Sequence, residues 1–314
     1  MTSTYRHAVP NASQSNASQH YHSALPHVAA CELSHSPQVH MVTFFTPDKN
    51  SSHNLSQAVA LLERTFAPHI RSFSAWTPAR VSAAGGAAYV RNFPEDQKLA
   101  LNPGLHHIGF GAFKPFILLH AMGRLRPGET LVYRDANCIK YPRILDAPKR
   151  LGQIAEFLLH ESGSDVVMPA QDCIYTLRRF CKSNVLRELG GGVAAIRDYP
   201  LLRANFIAVR NTPSARWFLQ EWMEAVKHDE WMAPEPHPEP RDPTFLWPTP
   251  EQCLFAVVAA KRALRGALPM TYPSFALDTA DRALACSGLK LCPGLNRSIP
   301  PPPPPRSLRP GRVH

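Results

Sequence analysis

Apolar residues fall into short runs and helical stripes between Val39 and Leu268, flanked by polar, aperiodic ends. Val39-His40-Met41-Val42-Thr43-Phe44-Phe45-Thr46 predicts a first strand, followed by a loop of Pro, Asp and Asn. Leu55, Val59, Leu62 and Phe66 then recur at i, i+4, i+7 and i+11, the stripe of a helix that Asn54 can cap. Phe113 to Met122 predicts a second helix with Pro115 in its first turn, and Pro127-Gly128 a turn before the strand Leu131-Val132-Tyr133. Further on, the pattern predicts a helix from Pro148 to Glu161, a short strand at Asp165 to Met168 and a weaker helix from Ser183 to Leu189 stopped by Gly190-Gly191-Gly192. A strand from Arg203 to Arg210 precedes a helix from Ser214 to His228, with Ala215, Phe218, Leu219, Trp222, Met223 and Val226 on its buried face. The last helix runs from Glu251 to about Arg265. Between these two, Trp231 to Pro250 is Pro-rich and too long for an idle connector, which suits a lid or acceptor loop.

This alternation predicts an α/β fold: a single doubly wound, mostly parallel sheet occupying residues 38–285. Residues 1–37 are rich in Ser, Asn and His without periodicity, so they are expected to be a disordered polar tail. Residues 286–314 read as a second disordered tail, rich in Pro and Arg, in which Pro300 to Pro305 forms a polyproline II segment.

Composition narrows the picture. A chain of 314 residues with 44% apolar content can bury one core of roughly 250 residues, and its 32 prolines lie mostly outside the periodic segments. No apolar run approaches the roughly 20 residues that span a bilayer, so no transmembrane segment is expected. The start, Met1 to His7, lacks the apolar stretch of a secretory signal. The chain as written therefore reads as cytoplasmic, or as Golgi-resident if an anchor precedes it. Asn-x-Ser sequons begin at Asn11, Asn16, Asn50, Asn54 and Asn296 and leave the compartment open. The seven cysteines show no Cys-x2-Cys pair; they read as core thiols, with a small Cys286 to Cys292 loop as the alternative. The net charge of +10 suits an anionic ligand, but no basic stripe interleaved with aromatics is present, so a nucleic-acid partner is not expected.

The chemistry concentrates where Leu131-Val132-Tyr133 runs into Asp135 and Asn137. Residues spaced i, i+2 leave a strand on one side, so both oxygens can face one hard cation, Mn2+ or Mg2+. The alternative is that Asp135 caps a turn and Asn137 tolerates a left-handed conformation. Ligands of open α/β sheets sit at the carboxyl ends of strands. That rule places Thr43, Phe45 and Thr46 near a nucleotide base and ribose, unless they are ordinary strand residues. Lys114 and Lys140 either add positive charge near phosphates or are solvated. Glu251 and Gln252, after Pro250, open a helix, where a Glu is favoured by the dipole alone.

Taken together these segments resemble the Asp-x-Asp loop region of GT-A-type nucleotide-sugar glycosyltransferases, and more closely a family of glycosyltransferases from polysaccharide gene clusters. The matching residues are Phe113-Lys114-Pro115, Gly128-Glu129, Leu131-Val132-Tyr133, Asp135-Ala136-Asn137 and Lys140-Tyr141-Pro142. A second match runs from Leu202 to Arg210, with Asn205 inside it, leading to Trp217 through Trp222; a third is Pro250-Glu251-Gln252. Where related sequences carry Asp-Gln preceded by His, this chain has Glu251 and no His between Phe245 and Gln252. The resemblance implies a GT-A-like fold and metal-dependent transfer of a sugar from a nucleotide-sugar donor to a glycan or protein acceptor. Asp135 and Asn137 would hold the metal; Thr43, Phe45, Thr46, Lys114, Lys140 and Asn205 would line the donor. Glu251 would take the acceptor proton if the reaction inverts, and Gln252 would bond the sugar or diphosphate. Two other readings stand beside it: a catalytically inactive relative that binds a nucleotide or glycan, and an adaptor whose Pro300 to Pro305 run docks an SH3- or WW-type groove.

Overall fold

A computed structural model describes residues 39–47, 55–91, 108–136, 164–168, 175–233, 242–246, 249–264, 270–271, 273–275 and 283–285. All of these lie in one compact unit, Pro37–His314. Asn137, Lys140, the sequons, both terminal tails and the helix expected from Pro148 to Glu161 fall outside the described residues.

The central sheet has six strands: β1 (Val39–Phe44), β2 (Ser72–Trp76), β3 (Thr130–Arg134), β4 (Val166–Val167), β5 (Phe206–Arg210) and β6 (Met270–Thr271), in the order β2-β1-β3-β5-β4-β6. β1 pairs in parallel with β2 and β3, and β4 with β6. β5, however, runs antiparallel to both β3 and β4. The sheet is therefore mixed, which corrects the expectation of a mostly parallel one. An apolar run such as Phe206-Ile207-Ala208-Val209 carries no mark of its direction, because buried strands of either sense bury both faces. A two-stranded antiparallel sheet, β7 (Pro273–Phe275) with β8 (Ala283–Ala285), follows.

Both faces of the large sheet are covered. Val39 and Met41 of β1, with Val132 of β3 and Phe206 and Ala208 of β5, pack under α1 (Leu55–Phe66) through Ala58, Leu62 and Phe66. The alternate residues Val42, Phe44, Leu131, Tyr133, Ile207 and Val209 face a larger core. That core receives α3 (Phe113–Met122), α7 (Pro213–Ala225) and α9 (Pro250–Leu264). On α7, Phe218, Leu219 and Trp222 are buried as expected, while Met223 is only half-buried. Strand β2 and the short α2 (Pro78–Val81) lie in a stretch whose pattern predicted nothing, since β2 is short and largely half-exposed.

Two polar ties hold α3 where its first turn can serve a site. At its far end, buried Asn211 donates its amide to the carbonyls of Met122, Leu125 and Arg126, at 3.3, 2.8 and 3.1 Å. Those carbonyls lie at the helix terminus and the turn after it; Met122 O and Arg126 O also accept from the backbone N–H groups of Leu125 and Glu129, so Asn211 adds to the turn's own bonds. Arg216 of α7 reinforces the tie by donating to Asn211 Oδ1 and to the Met122 carbonyl.

The remaining short helices are α4 (Leu177–Phe180), α5 (Ser183–Glu188), α6 (Ala194–Arg197) and α8 (Asp229–Met232). Just after α5, Gly191 and Gly192 adopt positive φ of 66° and 68°, the left-handed geometry that stops a helix. Cys181, which follows α4, forms a buried disulfide with Cys253 of α9. This corrects the expectation that these two cysteines are core thiols. They lie 72 residues apart and become neighbours only through the packing of α4 on α9. Among the described residues no helix is long and apolar enough to cross a membrane.

Candidate active site

Because β1 and β3 are parallel, their carboxyl ends share one edge of the sheet, and antiparallel β5 starts there. The backbone N–H of Asp135, just past β3, donates to the carbonyl of Asn205, just before β5, at 3.1 Å. Tyr133 and Asp135 are two residues apart, so they leave the strand on the same side, toward α3. The Tyr133 hydroxyl donates to Asp135 Oδ1 at 2.8 Å.

Lys114, in the first turn of α3, completes the arrangement. Stacking of Phe113 on Phe44, with ring centroids 3.6 Å apart, fixes that turn against the end of β1. The Lys114 Nζ lies 3.3 Å from Glu251 Oε1, within hydrogen-bond reach, and 3.7 Å from Asp135 Oδ1. It also sits 5.6 Å from the centroid of the Tyr133 ring. The Lys114 side chain is 6% exposed, against 18% for Glu251 and 28% for Asp135. An ammonium so deeply buried is retained in charged form only if paired. Burial lowers the Lys114 pKa, but the adjacent Asp135 and Glu251 carboxylates outweigh it and hold the group above its ordinary value. Tyr133 is pushed well above the usual phenol range, first by burial and then by the neighbouring Asp135 carboxylate. Its hydroxyl stays a donor to Asp135.

Glu251 reaches this position because the start of α9 is pinned. Thr249 N–H donates to the Phe180 carbonyl at 3.1 Å, Leu246 N–H to the Arg179 carbonyl at 2.8 Å, and the Cys181–Cys253 bond closes the same corner. Gly111 lets the turn before α3 come against Glu251. A Cβ at this position would lie 2.5 Å from Glu251 Cγ, and the φ of +84° is itself one that a side chain rarely accepts. Gly111→Ala is therefore expected to cost roughly 2–4 kcal/mol, from left-handed strain plus overpacking. The check is the urea midpoint, and a wild-type midpoint would mean that Glu251 is not held here.

The edge of the sheet thus unites Lys114, Asp135 and Glu251, three residues distant in sequence, with Asn205 beside them through its backbone. The buried Oδ1 of Asn205 has no donor among the described residues. Phe45 and Thr46 lie half-buried at the same edge, Phe45 N–H donating to the Trp76 carbonyl at 3.0 Å. Thr43 does not join: strand alternation turns it with Val39 and Met41 toward α1, and it is fully buried. Gln252 is half-buried beside Glu251 and makes no side-chain hydrogen bond among the described residues. Tyr133 and Gly111 gain roles that the motif reading did not assign. The i, i+2 spacing of Tyr133 and Asp135 was a usable signal for the first; nothing local marks the second.

Lys114 stands between two carboxylates, and the buried Arg134 guanidinium, which donates to the Asn205 carbonyl at 3.3 Å, adds a second cation at the same strand end. Glu251 accepts the hydrogen bond from Lys114, and Asp135, the more exposed of the two acids, is the carboxylate that a divalent cation could reach. Among the described residues no three His, Cys, Asp or Glu side chains gather into a metal centre. Such an ion would need further oxygens from its ligand, the usual situation for Mg2+ bound through one or two carboxylates and substrate phosphates. Comparison with models of known protein families gave no match, and comparison with curated proteins gave none either.

Proposed function

We propose that this protein is a metal-dependent glycosyltransferase that moves a sugar from a nucleotide diphosphate to a hydroxyl of a glycan or protein acceptor. The observation that carries the reading is the buried Lys114 bridging Asp135 and Glu251 at the carboxyl ends of β1 and β3. A buried cation flanked by acids at the carboxyl ends of strands suits a reaction whose leaving group is an anion and whose acceptor must lose a proton.

In this reading Asp135, with Asn137 two positions further along the sequence, would hold Mn2+ or Mg2+, which would neutralise the diphosphate as a Lewis acid. Tyr133 fixes the Asp135 carboxylate through its 2.8 Å hydrogen bond, so the acid is oriented before any ligand arrives. Lys114 supplies positive charge from α3, and Glu251 faces it from α9. Phe45, Thr46 and Asn205 line the same edge, where a base, ribose or sugar would be contacted.

Asp135→Asn tests the metal role. The change preserves size and turn propensity, so folding is expected to persist while Mn2+-dependent affinity for a nucleoside diphosphate falls at least tenfold, about 1.4 kcal/mol. Isothermal titration of uridine and guanosine diphosphates, with and without Mn2+, reads this directly. Equal affinity in wild type and variant refutes the metal role of Asp135. Binding without hydrolysis or transfer of any nucleotide sugar would identify an inactive binding protein instead.

A further inference from the structure

The sharing of Lys114 between two acids is unequal, and the inequality suggests an order of events within the proposed transfer reaction, on which this inference rests. Asp135 is doubly held, by the Tyr133 hydroxyl at 2.8 Å and by Lys114 at 3.7 Å. Glu251 has Lys114, at 3.3 Å, as its side-chain hydrogen-bond donor among the described residues. Taking Lys114 away from Glu251 would leave a carboxylate that is 18% exposed and, among the described residues, has no other ion-pair partner. Lys114 itself is already desolvated, so exchanging one anionic partner for another costs it little further hydration.

We propose that Lys114 is a hand-over cation, passing from Glu251 to the diphosphate of the donor and so converting Glu251 from a counter-ion into the base of the transfer step. In that step the acceptor oxygen forms a bond to the anomeric carbon, and the bond from that carbon to the diphosphate oxygen breaks. The electron pair stays on the leaving diphosphate oxygen, whose negative charge the Lys114 ammonium offsets, and the acceptor proton passes to the Glu251 carboxylate. Gly111 contributes by letting Glu251 approach Lys114 in the free protein. Before donor binding the Glu251 carboxylate accepts from Lys114; after the hand-over it is left to accept from the acceptor hydroxyl.

The test uses the full chain as wild type, Glu251→Gln, Lys114→Arg and Lys114→Met. Uridine diphosphate, guanosine diphosphate and inorganic pyrophosphate, each with Mn2+, are titrated, and transfer or hydrolysis is followed over a panel of nucleotide sugars. Removing the competing carboxylate should tighten diphosphate binding by Glu251→Gln roughly 3–10-fold while turnover falls about 10²–10⁴-fold. Lys114→Met should weaken binding at least tenfold, and Lys114→Arg should recover part of it. Should Lys114→Met not fold, the Glu251→Gln and Lys114→Arg arms still decide. Unchanged or weaker diphosphate binding by Glu251→Gln overturns the hand-over while leaving the transferase reading intact, and so does unchanged turnover. Failure of the wild type to bind any of the three probes overturns both.

Discussion

Replacing Lys114 by methionine should cost about 3–5 kcal/mol of folding stability, because it strands two largely buried carboxylates without their common cation. Methionine keeps the length and the apolar stem, so the loss reports the charge rather than a cavity. Urea denaturation measures it, and the double variant Lys114→Met/Glu251→Gln should recover a substantial part, since one stranded charge is then gone. Additive effects of the two substitutions would mean that the side chains do not interact. The pH dependence has a definite sign. Folding raises the Lys114 pKa above its ordinary 10.5, so the stability that it contributes is complete below that value and is lost as pH rises through the folded-state value. The stability difference between wild type and Lys114→Met should therefore be constant from about pH 8 to about pH 10 and shrink at higher pH.

Loss of the Cys181–Cys253 bond should have an effect of similar size. Cross-linking residues 72 apart removes loop-closure entropy from the unfolded chain worth about 4 kcal/mol, and 2–4 kcal/mol is the usual observed range. Cys181→Ala/Cys253→Ala is thus expected to lower the melting temperature by several degrees or more. Alkylation and mass analysis of the unreduced protein provide the direct check; two freely alkylated thiols at these positions would remove the disulfide from the account. The loss should also reach the site, because Cys253 is two residues from Glu251 and the bond pins the first turn of α9. Diphosphate affinity should accordingly change in the alanine pair even though neither cysteine touches the cluster.

Local chemistry alone made much of this protein legible. The stripe Leu55, Val59, Leu62, Phe66 specified α1, Phe113 to Met122 matched α3, and the expected helix from Glu251 to about Arg265 came within a residue or so of α9. Helical periodicity and an N1 proline are properties of neighbouring residues, so they survive without a tertiary context. Asp135 stood out for the same reason, since an acid directly after an apolar strand falls at a sheet edge whatever the neighbours are. Strand direction was not legible, because hydrophobicity has no polarity along the chain, and β5 proved antiparallel. Thr43 shows a related limit: it lies at a strand end, but only the pairing and the position of α1 decide which face is which. The meeting of Lys114 with Glu251, 137 positions away, and of Cys181 with Cys253 belongs wholly to the packing of α3, α4 and α9 against one another. Charge attraction and disulfide closure act through space once the apolar faces have been buried, and no local pattern encodes which distant segment will arrive.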